Sequence, residues 1–261
     1  MLVDSHVHLN SPDFSADLQP VLQRARAAGV RRFLCPGYDL ASSQAAVALA
    51  AAEPEVIAAV GIHPHDAQSC NAEVAREIES FLVTHRARAV GETGLDYYYD
   101  HSPRDVQKQA LRLHLQLARR HDLPVVVHNR DSDADMARIL AEDGAGLRLV
   151  LHAFGGSELL AALGARHGFY FGIGGFLTFK KHPLAERVRD LPRSSLLLET
   201  DSPYLSPHPR RGQRNEPAHV EIVARHLGEL LGLGVEAVGT LTTRNFERFL
   251  EGGPDGASPL P

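Results

Sequence analysis

The sequence contains little cysteine: Cys35 and Cys70 are the two cysteines among 261 residues. Two thiols cannot form the framework of several disulfides that stabilises small secreted domains, and their spacing matches no zinc-binding motif. We therefore expect two ordinary small side chains in a reducing compartment.

Positive charge is not in excess either. Lysine and arginine number 27 against 32 aspartates and glutamates, which gives a formal net charge of −5 with histidine neutral. A chain of this charge has no global basic field that would hold a long nucleic acid by counterion release. Any polyanionic substrate must be bound locally, by metal ions and a few well-placed Arg and Lys side chains.

Long apolar runs are also lacking. No uninterrupted run approaches the ~20 residues that a membrane-spanning helix requires, and residues 1–4 do not begin a signal peptide. We therefore expect a cytoplasmic protein without a membrane partner, and no segment indicates an obligate protein partner.

The sequence does contain a regular alternation of short apolar runs and longer segments with helical spacing. Eight strands are predicted, at residues 2–8, 31–35, 56–63, 87–92, 124–128, 147–152, 169–173 and 195–200. Helices are predicted between and after them, at residues 18–28, 74–85, 106–121, 136–142, 159–165, 218–231 and 238–250.

This alternation is typical of parallel βαβ units, which either close into a barrel or form an open sheet. The length of 261 residues is close to the ~250 of a (β/α)8 barrel. We therefore predict an α/β protein, a single-domain (β/α)8 TIM barrel over residues 1–250, followed by a flexible C-terminal tail at 251–261.

Histidines and carboxylates lie at the ends of six predicted strands. His6 and His8 stand two residues apart, so both side chains project from the same face of the first strand. The others end or follow later strands: His63, His65, Glu92, His128, His152 and Asp201. Because the carboxyl ends of all barrel strands open onto one face, these side chains are expected to converge there. Such a cluster indicates a metal or catalytic site.

The chemistry of this set suits a pair of divalent cations. Imidazole favours ions such as Zn²⁺, and carboxylates also accommodate Mg²⁺ and Mn²⁺. Glu92 could bridge two ions about 3.5–4 Å apart through its two oxygens. Asp201 could bind one ion and orient or deprotonate an attacking water molecule.

Eight segments of the chain together resemble a known family. They are DSHVHL at residues 4–9, GIHPH at 61–65, GETGLDYY at 91–98, HNRD at 128–131, HAF at 152–154, GIGG at 172–175, ETDSPYL at 199–205 and RGQRNEP at 211–217. In this order they resemble the TatD-like metal-dependent deoxyribonucleases of the amidohydrolase superfamily.

The resemblance implies that two divalent metal ions (Mg, Mn or Zn) are bound by His6, His8, Glu92, His128, His152 and Asp201. It further implies hydrolysis of phosphodiester bonds by a metal-bound hydroxide, as a 3′–5′ exonuclease that trims DNA ends or short oligonucleotides. His63 and His65 match a pair on the substrate side of the family's pocket, where they would contact phosphate or donate a proton. The candidate catalytic residues are Asp201, Glu92 and His65.

Two arginines and three tyrosines are candidates for substrate contacts. Arg130 follows the fifth strand, and Arg211 follows the eighth, a region where barrels often bind phosphate. For both arginines an ion pair or a packed loop is the structural alternative. Tyr97, Tyr98 and Tyr99 could stack on a nucleobase or pack in the core.

Some positions depart from the family's pattern. Gln213 stands where lysine is common, Ala153 and Gly155 replace Cys and Ser or Thr, and Leu111 and His114 replace Phe and Gln. None of these positions belongs to the expected metal set, so the departures bear on substrate preference more than on chemistry.

Two other functions remain open at this point. The same binuclear site could hydrolyse a carboxylic ester or amide, for example an aminoacyl ester, because an activated water attacks carbonyl carbon equally well. A non-catalytic scaffold that merely holds metal is the other alternative.

Overall fold

The computed structural model describes residues 1–84 and 86–252. Its centre is a sheet of eight parallel strands whose order in space is their order in the chain. The strands are β1 (Leu2–Asp4), β2 (Val30–Pro36), β3 (Val56–Val60), β4 (Ala89–Asp96), β5 (Val125–Arg130), β6 (Leu149–Leu151), β7 (Tyr170–Ile173) and β8 (Leu196–Leu198). This order confirms the predicted βαβ organisation.

The first and last strands close the sheet into a barrel. The backbone N–H of Ser5 donates to the carbonyl of Leu198 (2.8 Å), and that of Asp201 donates to the carbonyl of His6 (2.9 Å). Val7 and Ser202 form a parallel bridge between the same two segments. The predicted barrel is therefore confirmed, and the open-sheet alternative is wrong.

Helices cover the outside of the barrel. Those of the described residues are α1 (Leu18–Ala27), α2 (Leu40–Ala52), α3 (Ala72–Val83), α4 (Arg104–His121), α5 (Asp133–Asp143), α6 (Glu158–His167), α7 (Leu184–Arg187), α8 (Val220–Leu231) and α9 (Val235–Glu251). Within this part of the chain, no helix combines the length and apolar character needed to cross a bilayer.

Two of these helices, α2 and α7, were not predicted. The exposed face of α2 carries Ala41 and Ala45 and its buried face carries Ala46 and Val47, so hydrophobicity has almost no helical period along it. Its start is fixed instead by Asp39, whose carboxylate accepts a hydrogen bond from the backbone N–H three residues later (2.7 Å). The four residues of α7 are too few to show a period.

Several predicted boundaries differ from the structure. β1, β3, β6 and β8 end before the histidines and the aspartate that follow them, so those side chains lie in loops just past the sheet, whereas β4 and β5 continue beyond Glu92 and His128. Helix α3 ends at Val83, and its predicted last residue, His85, lies outside the described residues. The predicted tail also lies outside them from residue 253 onward, while Glu251 belongs to α9.

The lower half of the barrel is filled by apolar side chains, one from each of seven strands, with three more from α9. They are Val3, Leu34, Ala59, Ala89, Val126, Val150 and Leu197, with Phe246, Phe249 and Leu250. A methyl group at Gly239 of α9 would lie 2.6 Å from the carbonyl oxygen of Met1, so this helix packs against the start of β1. Helix α9 therefore closes the amino-terminal end, and the opposite end is left for the site.

Candidate metal centre

The junction of β8 and β1 places the first group of donor atoms. His6 Nε2 lies 3.2 Å from His8 Nε2, and Asp201 Oδ1 lies 3.5 Å and 3.4 Å from these two nitrogens. Asp201 has a φ of 57°, in the left-handed region that aspartate tolerates better than most residues. The backbone hydrogen bond from Asp201 to the carbonyl of His6 fixes the two segments against each other.

Glu92 faces two separate groups with its two oxygens. Its Oε2 lies 3.3 Å from His6 Nε2 and 3.6 Å from His8 Nε2. Its Oε1 lies 2.8 Å from His152 Nε2 and 3.1 Å from His128 Nδ1. A carboxylate placed between two sets of imidazoles has the arrangement of a bridging ligand.

The glycine before Glu92 is required by the approach of β4 to β5. Gly91 has a φ of 121°, and a Cβ there would lie 2.5 Å from the carbonyl oxygen of Val126. An L-residue at this position would meet both a steric clash and an unfavourable backbone conformation. The Gly-Glu pair of the sequence motif therefore has a packing cause as well as a chemical one.

The donor atoms fit divalent cations. Ligand atoms held at the ~2.0–2.1 Å typical of zinc–nitrogen bonds in a tetrahedron are about 3.3 Å apart, and the nitrogen and oxygen atoms of each group lie 2.8–3.6 Å apart. The side chains are also buried: His6, His8, Glu92, His152 and Asp201 are each less than 9% exposed. Packing so many polar groups away from water is unfavourable unless a partner satisfies them.

The protonation states of three of these groups favour metal binding. Burial by itself would raise the pKa of Glu92, but the surrounding imidazoles outweigh it and hold this pKa well below its usual range. Burial likewise opposes the lowered pKa of Asp201, which results chiefly from the hydrogen bond to His8. Burial lowers the pKa of His6 to about 4. At neutral pH both carboxylates are therefore ionised and His6 is neutral, the forms that ligate metals. Hydrogen bonds to two carboxylates outweigh burial at His128 and raise its pKa to about 9, so a cation must displace a proton from that ring.

His63 lies beside this centre with its ring proton on Nε2, the nitrogen that faces Glu92. By distance alone, His63, Glu92 and His128 could share an ion. The backbone N–H of His65 donates to His63 Nδ1 (3.2 Å), so the ring proton is on Nε2, which lies 3.5 Å from Glu92 Oε1. Burial lowers the pKa of His63 well below its ordinary value, which keeps the ring neutral. His63 thus presents an N–H donor to the cavity.

Two buried carboxylates at the centre had no assigned role in the sequence. Asp4 accepts hydrogen bonds from the backbone N–H (2.9 Å) and hydroxyl (2.6 Å) of Thr200, which ties β1 to the segment carrying Asp201. Asp96 Oδ2 lies 3.0 Å from His65 Nε2 and 3.1 Å from His128 Nε2. Residues 92, 94 and 96 share one face of β4, so strand alternation from Glu92 could have indicated Asp96.

Glu199 lies behind the centre. Its Oε1 accepts a hydrogen bond from the backbone N–H of Ala153 (2.5 Å) and lies 3.8 Å from His152 Nδ1, too far for a hydrogen bond to that imidazole. Burial raises the pKa of Glu199 well above its usual range. A Cβ at Gly172 would overlap Glu199 Oε2, so glycine at that position makes room for this carboxyl group.

The two candidate arginines are placed differently. Arg130 lines the cavity above the centre, with its guanidinium carbon 4.0 Å from the Tyr98 ring centroid and 4.8 Å from that of Tyr99. Arg211 instead lies over Phe179 (3.9 Å), beside a smaller depression lined with Lys180. The structure therefore brings Arg130 to the mouth of the site but does not bring Arg211 there.

The cavity itself has a volume of about 980 Å³ and is open to solvent. This volume is larger than a single phosphate group occupies and lies at the upper end of the range for small-molecule sites. Apolar side chains such as Phe154 and Phe176 form one wall. On the other side Tyr99 and Arg130 lie at the rim, near His65.

Fold and site together define the class: a metal-dependent hydrolase built on a (β/α)8 barrel. A family model described as TatD related DNase matches residues 3–251, and the chain belongs to this family. The family resemblance of the sequence motifs is thereby confirmed.

Relatives with names and structures support the assignment along the whole chain. The chain is 39% identical over 252 residues to the uncharacterized metal-dependent hydrolase YabD of Bacillus subtilis, covering 95% of this chain and 98% of YabD. It is 35% identical over 265 residues to the 3′-5′ ssDNA/RNA exonuclease TatD of Dickeya dadantii, covering 98% and 100%. The crystal structure of the TatD homologue YJJV from Escherichia coli matches with a TM-score of 0.90 at 30% identity, covering 97% and 98%.

Proposed function

We propose that this hydrolase cleaves phosphodiester bonds at the ends of DNA, as a 3′–5′ exodeoxyribonuclease. The observation that carries the proposal is the placement of Glu92 between two groups of nitrogen donors, beneath a cavity into which His63 directs an N–H. The relative from Dickeya dadantii, named as a 3′-5′ exonuclease, supports both the bond and the polarity.

We propose that two divalent ions, Mg, Mn or Zn, complete the site. His6, His8 and Asp201 would hold one and His128 and His152 the other, with Glu92 shared between them. When bound, such ions polarise phosphoryl oxygens and lower the pKa of water.

The surrounding residues divide the remaining work. Asp201, ionised at neutral pH, would orient the attacking water and take its proton. His63 would donate its Nε2 proton in a hydrogen bond to a phosphate oxygen, which stabilises the charge that develops there. His65 is the candidate donor to the departing oxygen. Asp96 holds its Nε2, so the proton would leave from Nδ1 of the protonated ring.

The rim favours a short, single-stranded end as substrate. Arg130 is the one Lys or Arg side chain among the described cavity-lining residues, whereas six carboxylates line the cavity: Asp66, Glu92, Asp96, Asp131, Asp133 and Asp201. Such a surface repels a long polyanion outside the metal centre. Tyr98 and Tyr99, beside Arg130, are 58% and 50% exposed. An unpaired base can stack on these aromatic side chains.

The decisive test is metal-dependent release of nucleotides from single-stranded DNA by the wild type, Glu92→Gln and Asp201→Asn. Loss of a general base costs ~10²–10⁴-fold in rate, so we expect Asp201→Asn to lose at least about 10²-fold and Glu92→Gln no less. A 3′-blocked oligonucleotide should resist, and its 5′-blocked counterpart should be degraded. Equal activity in all three proteins would identify a contaminating nuclease.

One observation favours a second candidate, hydrolysis of a carboxylic ester or amide. The loops after β7 and β8 contribute Phe176, Pro183 and Leu205 to the cavity, an apolar wall that suits an uncharged acyl group. Comparison of kcat/KM for DNA ends and for aminoacyl esters separates the two. Metal binding without turnover of either substrate would favour the scaffold alternative.

A further inference from the structure

Asp96 joins three parts of the site through one buried carboxylate. It ends β4, is 1% exposed, and accepts four hydrogen bonds. Oδ1 accepts from the backbone N–H groups of Tyr98 (3.1 Å) and Tyr99 (2.8 Å), and Oδ2 accepts from Nε2 of His65 (3.0 Å) and of His128 (3.1 Å). Every lone-pair direction of the carboxylate is thus engaged.

These contacts determine where the ring protons lie. An ionised carboxylate can only accept hydrogen bonds, so both rings must carry a proton on Nε2. His128 then directs Nδ1 toward the centre, 3.1 Å from both Glu92 Oε1 and His152 Nε2. Carboxylates behind metal-bound histidines orient the ring and select its tautomer in this way.

We propose that Asp96 is a positioning residue for the second metal ion: it holds His128 with the Nδ1 lone pair facing Glu92 and His152, and with the same oxygen it holds His65 at the substrate side. This rests on the proposed role of His128 as a ligand. Because one oxygen serves both rings, a change at Asp96 alters both, whereas removal of the His65 ring leaves the bond to His128 in place.

Asp96→Asn is the sharpest variant. The asparagine carbonyl can keep both backbone hydrogen bonds, which places its NH₂ group where Oδ2 was. In the reverse orientation the NH₂ group would face two backbone N–H groups, and all of these groups are donors only. The first orientation is preferred because a neutral imidazole can move its proton to Nδ1 and accept with Nε2. In this variant Nε2 of His128 must accept, Nδ1 is protonated, and the nitrogen facing Glu92 can no longer bind a cation.

The first measurement is Zn²⁺ or Mn²⁺ binding to metal-free protein by calorimetry and elemental analysis. We expect the wild type to bind two ions and Asp96→Asn to bind the second 10–100-fold more weakly, the loss typical for partners of metal ligands, with the first ion unchanged. His65→Ala should keep both ions. The matched control is Asp66→Asn, a carboxylate at the exposed rim of the same cavity that bonds neither imidazole.

The second measurement requires no variant and therefore does not depend on whether Asp96→Asn folds. In Zn²⁺-loaded wild type, ¹⁵N NMR should show His128 with a metal-bound Nδ1 and a protonated Nε2. A metal-bound Nε2 with a protonated Nδ1 would overturn the role of Asp96. So would a folded Asp96→Asn variant that binds both ions as tightly as the wild type does. Failure to cleave phosphodiesters, with these binding results intact, would overturn only the proposed function.

Discussion

His114 shows how a departure from the family's pattern is absorbed by the structure. Its Nε2 accepts a hydrogen bond from the backbone N–H of Ile62 (3.1 Å), and its Nδ1 donates to the carbonyl of Ala110 (2.7 Å). The ring is 1% exposed and supports the segment that carries His63. A helical histidine outside the donor cluster thus has a structural role and fixes the backbone beside a functional residue.

Burial also makes His114 sensitive to acid. It lowers the pKa of His114 to about 4, below the ordinary 6.5, so the unfolded chain binds a proton that the folded chain does not. This pKa difference contributes about 3 kcal/mol to the free energy of unfolding. The contribution is fully present above pH 6.5 and is lost as the pH falls toward 4. His114→Gln should therefore flatten the pH dependence of unfolding free energy in this window.

The measurement is urea unfolding of metal-free protein between pH 7 and 4. The control variant is His226→Gln, which removes a half-buried histidine of α8. An unchanged slope in His114→Gln would show that His114 does not carry this acid sensitivity.

At the scale of elements, α9 determines which end of the barrel is open. Its aromatic side chains Phe246 and Phe249 pack under the side chains of the barrel interior and are 1% and 0% exposed. Every proposed ligand lies at the other end. Stability and chemistry are thereby assigned to opposite ends of the same strands.

Phe249→Ala tests whether the amino-terminal end of the barrel affects stability without affecting metal binding. Removal of a buried phenyl ring costs about 3–5 kcal/mol through lost burial and the cavity that remains. We expect a loss of this size in unfolding free energy, with metal stoichiometry unchanged in the folded protein. Val83→Ala, at a position 57% exposed on α3, is the control and should change stability little. Metal loss in folded Phe249→Ala would contradict the separation.

At the scale of the whole molecule, charge limits how a nucleic acid can be held. The net charge is −5 and Arg130 is the one Arg or Lys side chain found at the cavity within the described residues. Each phosphate neutralised on a single strand contributes about −0.7 to the slope of log affinity against log salt. One or two local contacts therefore predict a shallow dependence.

We expect the logarithm of 1/KM for single-stranded DNA to fall with a slope no steeper than about −1.5 against log[KCl], at fixed free metal concentration. KM should also change little once the strand exceeds a few nucleotides. Double-stranded ends should be poorer substrates, because their paired bases are not free to stack on the tyrosines. A slope near −4 would indicate an extended basic surface and would contradict binding through one or two local contacts.

The sequence by itself determined the barrel and the membership of the donor cluster. Strand alternation placed His6 and His8 on one face, and the parallel order of strands implied that their carboxyl ends share one mouth. Both inferences need only spacing along the chain, so the sequence is sufficient to predict the group around Glu92. Helix α2 could not, because its alanines carry no periodic contrast.

The tertiary structure alone decided how these residues are used. The tautomer of His63 depends on a backbone N–H two residues away, and that of His128 depends on Asp96 from a neighbouring strand. The contact of Arg130, the last residue of β5, with Tyr98 depends on the loop after β4, and that of Arg211 with Phe179 depends on the loop after β7. Side-chain direction and proton position arise from contacts between elements, and a pattern along one chain does not contain them.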